Sequence, residues 1–260
     1  MEELVIKEIK QNIFIVKINR PPDNFIKMPV IEQMIEVITE AIKSNYEGLL
    51  ITSAINDIFI SGHEIVDITD DVKPKKLKNH LRIIAELLLT IQRLNIPTVT
   101  LINGNCAGFG LELALATDFR IVVDADVNIG FPEVKLGAFP PFGGIYRLVK
   151  LTGDIKAREI LMNGRLLSPQ QALEFGLVNA VVPKELLLDE GLNLLKGFSR
   201  YAPLSLSAIK RAITDANTKD FMSAIHDDIE DYIVISSSDD YKEGKKAIQE
   251  GRLPVYKKPS

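Results

Sequence analysis

The sequence predicts a mixed α/β body reaching to about residue 182, followed by an all-helical region over residues 183–260. Two observations predict it. Strand-length apolar runs alternate with helix-period segments through the first half, and after Pro141 the period turns helical and largely stays so. No segment repeats at a fixed sequence period.

Taken in order, apolar alternation over residues 4–9 and 13–18 predicts a hairpin turning at Gln11-Asn12, with a Pro-containing loop, Arg20-Pro-Pro-Asp-Asn24, after it. Ile31, Met34, Ile35, Val37, Ile38 and Ile42 recur at helical spacing, so residues 30–44 read as a helix and 48–52 as a buried strand. The same reasoning gives a helix over 75–94, strands over 97–102 and 119–123, and a short helix over 110–116. Helices are expected at 142–151, 155–162 and 169–175, a strand at 177–182, and helices near 185–200, 203–217, 219–236 and 241–249.

Composition narrows the function classes. With 260 residues and 46% hydrophobic content, the chain can bury a large core without staples. A net charge of −4 argues against nucleic acid or an anionic membrane as the main partner. The single Cys106 excludes an internal disulfide framework and fits a reducing compartment. Met1-Glu-Glu-Leu-Val lacks the basic and apolar regions of a signal peptide, and no run reaches the roughly 18 apolar residues of a spanning helix. A cytoplasmic protein is expected.

The chemistry concentrates between Asn103 and Glu133. In Asn103-Gly-Asn-Cys-Ala-Gly-Phe-Gly-Leu-Glu112-Leu-Ala-Leu-Ala116, Glu112 sits in a helix too apolar for a solvated face, so it is expected to be buried. Burial raises a carboxyl pKa toward the range useful for proton transfer, and Glu112 and Glu133 facing one cavity would form an acid/base pair. Each Glu equally fits a cap or an arginine partner.

Other chemistries lack their signatures. Gly108-Phe-Gly110 begins a dinucleotide fingerprint, but Leu113 stands where the third Gly belongs. P-loop, G-x-S-x-G and H-E-x-x-H patterns are missing, and the histidines are only His63, His80 and His226. What remains is backbone. The Gly-rich start of the Glu112 helix leaves N–H groups pointing outward, and Phe59-Ile-Ser-Gly62-His63-Glu64 reads as a second such loop. Two converging N–H groups would suit a carbonyl that becomes an enolate.

Five stretches together resemble the crotonase, or enoyl-CoA hydratase/isomerase, superfamily over essentially the whole chain. They are Phe59-Ile-Ser-Gly-His-Glu-Ile65; 103–114; Pro132-Glu-Val-Lys-Leu-Gly137 with Pro140 and Gly143-Gly144; Leu161-Met-Asn-Gly164 with Gln171-Ala172 and Gly176-Leu-Val178; and Asp240-Tyr-Lys-Glu-Gly244 before Arg252 and Pro254. The resemblance implies a ββα superhelix over residues 1–182 carrying an acyl-CoA site. It also implies a C-terminal helical trimerisation region over 183–260, hence a homotrimer or homohexamer. The implied ligand is an acyl-CoA thioester, with coenzyme A part of the substrate and no separate cofactor or metal. Oxyanion donors fall on the N–H of His63 and Phe109, and the acid/base pair on Glu112 and Glu133. The family binds CoA phosphates near Arg20, Lys27, Gly62 and Ile65, with Lys245 or Lys257 contributing from the tail.

Three departures matter. Phe109 replaces the usual Gly or Ala, and His63-Glu64 replaces a small residue plus Asp. Pro141 stands where typical hydratases have a Gly whose N–H helps hold water, and proline has none. The Phe139–Phe142 loop, rich in Phe and Pro, resembles that of cyclic dienoyl-CoA hydratases, in which Phe109, Phe139, Pro141 and Phe142 would wall a flat acyl pocket. The implied activity is enoyl-CoA hydration. Cyclic dienoyl-CoA hydration, double-bond isomerisation and silent acyl-CoA binding are the alternatives.

Overall fold

Strands Val5–Lys10 (β1) and Ile13–Ile18 (β2) form the expected hairpin, paired antiparallel from Val5 against Ile18 to Lys10 against Ile13. The computed structural model describes residues 2–63, 74–216 and 218–256. Gln11 and Asn12 turn the hairpin with positive φ, a conformation that asparagine tolerates.

From there the chain spirals. Gly48–Ser53 (β4), Thr98–Ile102 (β7) and Phe119–Val123 (β9) join a six-stranded sheet in the order β1-β2-β4-β7-β9-β12, with Ala180–Val182 as β12 and every pairing beyond the hairpin parallel. After each of these three, a short strand drops into a second sheet: Asp57–Ile60 (β5), Gly104–Ala107 (β8) and Ile129–Gly130 (β10), completed by Leu166–Leu167 (β11). Phe25–Ile26 (β3) and Gly62–His63 (β6) make a third, two-stranded parallel pair. Strand, strand, helix is thus the repeating step. β4 and β7 are buried along their whole length, the pattern of parallel strands covered on both faces.

The short strands are where the sequence reading is corrected. Residues 59–63 were expected as a loop, but Ile60 and His63 lie in β5 and β6. Segments such as Gly62–His63 or Ile129–Gly130 are too short and too rich in Gly to show a period of two.

Nine α-helices occur among the described residues: Met28–Lys43 (α1), Pro74–Gln92 (α2), Phe109–Ala114 (α3), Gly144–Asn163 (α4), Pro169–Glu174 (α5), Leu187–Phe198 (α6), Pro203–Asp215 (α7), Phe221–Ser237 (α8) and Asp239–Glu250 (α9). Two expected helices, 142–151 and 155–162, are the halves of α4, kinked at Gly153, where φ is +78°. The strand expected from 177 begins only at Ala180, because the Leu177 N–H still returns to Ala172 O as the C-terminal closure of α5. Ser168 opens α5 with a capping box, and Asp220 and Ser238 cap α8 and α9.

The helix α6 lies against β4, β7 and β9. Gly191 permits this, since a Cβ there would stand 2.7 Å from Leu101 Cδ2. By contrast α8 contributes no buried residue. No helix among the described residues is long and apolar enough to cross a membrane.

Candidate active site

The site is built where β8 runs into α3. β8 lies between β5 and β10 and parallel to both, and a Cβ on Gly104 would fall 1.9 Å from the Asp57 carbonyl carbon, so only glycine allows the approach. Gly108 follows with φ 56° and ψ −118°, its N–H bonded to Gly130 O at 3.0 Å. This turn starts α3 abruptly. Phe109 occupies its first position, where helix geometry gives the N–H no intrahelical acceptor. Gly62 Cα lies 3.9 Å from the Cβ position of Gly108, so the segments carrying the His63 and Phe109 amides run side by side.

Glu112 projects from α3 and is only 1% exposed. Its Oε1 accepts two hydrogen bonds, from the Phe142 N–H at 2.7 Å and the Gly144 N–H at 2.9 Å. Burial nevertheless dominates and pushes the carboxyl up to about 7; nearby Glu133 raises it further, while the two N–H bonds and Arg147 oppose the rise. Glu133 opens a 3₁₀ turn, Glu133–Leu136, and its carboxyl is also raised by burial. Its Oε1 sits 2.8 Å from the Cβ position of Gly108, and its buried Oε2 has no hydrogen-bond partner among the described residues. Two carboxyls with raised proton affinity therefore lie close together, Glu112 within this short helix and Glu133 against its N-cap glycine.

The loop between Glu133 and α4 supports the first of them. Pro141 is exposed and brings no N–H, while its neighbours Phe142 and Gly144 spend theirs on Glu112. Gly144 has no room for a side chain, since a Cβ would be 2.7 Å from Glu112 Cγ. The buried Phe142 ring meets Phe109 edge-on at 5.9 Å, and His63 approaches both rings, 5.9 Å from Phe142 and 6.2 Å from Phe109. Phe139 stands apart from this group, 67% exposed.

Arg20 Nη1 donates to Phe25 O at 2.8 Å and lies 3.7 Å from Asp23, which ties it to its own loop beside β3. Lys27 is the N-cap residue of α1, and Gly62 lies against the Phe25 ring. Lys245 Nζ stands 5.7 Å from the Tyr241 ring. Glu64, Ile65 and Lys257 lie outside the described residues.

Two residues escaped the sequence reading. Asn24 is fully buried and its Nδ2 donates to Ser53 Oγ at 2.8 Å and Phe59 O at 2.9 Å, fixing the loop that precedes β3. Its only sequence signal is a turn-forming position after Pro-Pro-Asp. Arg147, in the first turn of α4, grips the Glu112-holding loop from behind.

The ββα spiral with its C-terminal helices is the crotonase fold. An enoyl-CoA hydratase crystal structure from Bacillus anthracis matches it with a TM-score of 0.90 at 25% identity, covering 98% of this chain and 100% of that one. The chain belongs to the enoyl-CoA hydratase/isomerase family, whose model matches residues 8–259. It is 26% identical over 258 residues to a 2,3-dehydroadipyl-CoA hydratase of Escherichia coli K12, with 99% of both chains covered. It is 32% identical over 208 residues to an enoyl-CoA isomerase/hydratase of Mycosarcoma maydis, covering 80% of this chain and 76% of that one. Relatives named as hydratases are hydro-lyases.

Proposed function

We propose that the protein is an enoyl-CoA hydratase, adding water across the 2,3 double bond of an acyl-CoA thioester. The observation that carries this reading is the presence of both Glu112 and Glu133, each with its carboxyl raised by burial and close enough for Glu133 to act on Glu112, with Glu133 against the Gly108 turn. The thioester oxygen accepts hydrogen bonds from the His63 and Phe109 amides. One carboxylate takes a proton from water as its oxygen bonds to C3, the π electrons move onto the thioester as an enolate, and the other carboxyl returns a proton to C2. Proton transfer and enolate stabilisation each contribute about a hundredfold or more in rate.

Arg20, Lys27, Gly62 and Ile65 serve the CoA portion. Phe109, Pro141 and Phe142, with Phe139 at the rim, line the acyl side. Because the Phe109 and Phe142 rings gather beside the loop that holds Glu112, a cyclic dienoyl-CoA is the alternative substrate; because Pro141 offers no N–H to water, proton shuttling without hydration is the alternative reaction. The protein works as a homotrimer or a homohexamer, its exposed Phe221, Met222, Ile229 and Ile233 covered by another copy.

Incubation with crotonyl-CoA and a panel of linear and cyclic dienoyl-CoA esters tests the reading through loss of conjugated-enoyl absorbance. Conversion of a 3-enoyl-CoA to the 2-enoyl form with no water uptake from any ester would replace it by the isomerase.

A further inference from the structure

Phe142 is held at both ends. Its N–H donates to Glu112 Oε1, and its carbonyl accepts from Arg147 Nη1 at 2.9 Å. The Arg147 backbone N–H donates to Gly143 O at 3.0 Å, and its Nε to Oε1 of Gln92, the last residue of α2, at 2.9 Å. One side chain thus joins α2 and α4 to the loop whose amides orient the buried carboxylate. Gly143 makes the room: with φ +90°, it has hydrogen where a Cβ would stand 2.8 Å from Arg147 Nη1.

We infer that Arg147 is a positioning residue for Glu112, holding the Phe142 and Gly144 amides on its carboxylate and placing a guanidinium behind them. The inference rests on the assignment of Glu112 to proton transfer. Among the described residues, the charges acting on Glu112 are Glu133 from the 3₁₀ turn and Arg147 from α4, with His63 on β6 reached through the rings of Phe109 and Phe142. Behind Arg147 lies a largely apolar cavity of about 410 Å³ whose charged walls are Lys150, Arg120 and the Asp118–Lys210 pair. The attraction is mutual, since Glu112 opposes the lowering that burial imposes on the guanidinium. A fork is required as well as a charge, because two acceptors in different directions, Phe142 O and Gln92 Oε1, are bound at once.

The test uses the full chain. Infrared pH titration reads the Glu112 carboxyl directly, as the band missing from Glu112→Gln, and kcat and KM for crotonyl-CoA are followed against pH. In Arg147→Gln the Glu112 titration should move up by about one pH unit or more, kcat at pH 7 should fall about tenfold or more, and KM should stay within about threefold. Whichever limb of the rate profile Glu112 sets should move to higher pH with it. Arg147→Lys keeps the charge without the fork and should recover less than half of the lost rate. Gln92→Met, which leaves the arginine but cuts its tether, should shift both readouts the same way by less, and it carries the test if Arg147→Gln fails to fold.

An unmoved titration and unmoved profile in these variants, with only a lower melting temperature, would overturn the inference. A titration shift in a protein that hydrates no ester would uphold the positioning and sink the hydratase reading; hydration without the shift would do the reverse.

Discussion

Gly108 and Glu133 compete for the same space. A methyl group on Gly108 would stand 2.8 Å from Glu133 Oε1, and the backbone there has φ 56° with ψ −118°, which a Cβ also disfavours. Gly108→Ala should therefore cost about 1–3 kcal/mol of stability by chemical denaturation and lower kcat at least about tenfold. A variant that folds and turns over like the parent would show that Glu133 does not act from this position.

Removing either of the two proposed acid/base groups should separate chemistry from folding. Glu112→Gln keeps an oxygen for the Phe142 and Gly144 amides, and Glu133→Gln keeps the side-chain shape. Each should reduce turnover by about a hundredfold or more while circular dichroism stays unchanged. Hydration at the parent rate by either variant rules out the paired mechanism.

The raised Glu112 carboxyl also makes folding pH-dependent. In the native protein it titrates near 7, against 4.5 as its ordinary value, so between those pH values the native state holds a proton that the unfolded chain releases. Its contribution is most favourable below the unfolded value and is lost as pH rises through 7, a change of about 3 kcal/mol at 1.4 kcal/mol per pH unit. Denaturant unfolding at pH 5 and pH 8 should show this loss in the parent and most of it gone in Glu112→Gln. Equal slopes in the two proteins would place the carboxyl's affinity near its ordinary value.

Assembly is checked by light scattering. With Phe221 76% and Met222 71% exposed, α8 should be covered by other copies, giving a trimer or hexamer at micromolar concentration. Aspartate at both positions should lower the mass. A monomeric parent contradicts the proposal.

The sequence disclosed these features unequally. Glu112 was legible because an acid inside Leu-Glu-Leu-Ala-Leu-Ala leaves no polar face for it. The long strands and helices were legible from their periods, and Glu133 stood out as a second candidate carboxylate, past the strand that follows Glu112, its pairing with Glu112 supported by the resemblance. Nothing local marked β8 or β10, which pack by close backbone approach, β8 through Gly104 against Asp57 and β10 through Gly130 against Arg165. Nor could Phe139 and Phe142 be told apart, since an irregular loop has no period; one is 67% exposed and the other 5%. Arg147 in Ile-Tyr-Arg-Leu reads as an ordinary helix-surface cation, because its acceptors lie on α2 and in a loop.

The fit of Gly104 against Asp57 has a consequence for the order in which the molecule comes apart. β8 is locked between two strands at the point where the site begins, whereas α8 contributes no fully buried residue to the protomer. Opening by heat or dilution should start in the terminal helices and reach the Gly104–Glu112 stretch last, so that amide exchange is slowest there. The outer helices would then fray while the backbone that carries Glu112 stays closed.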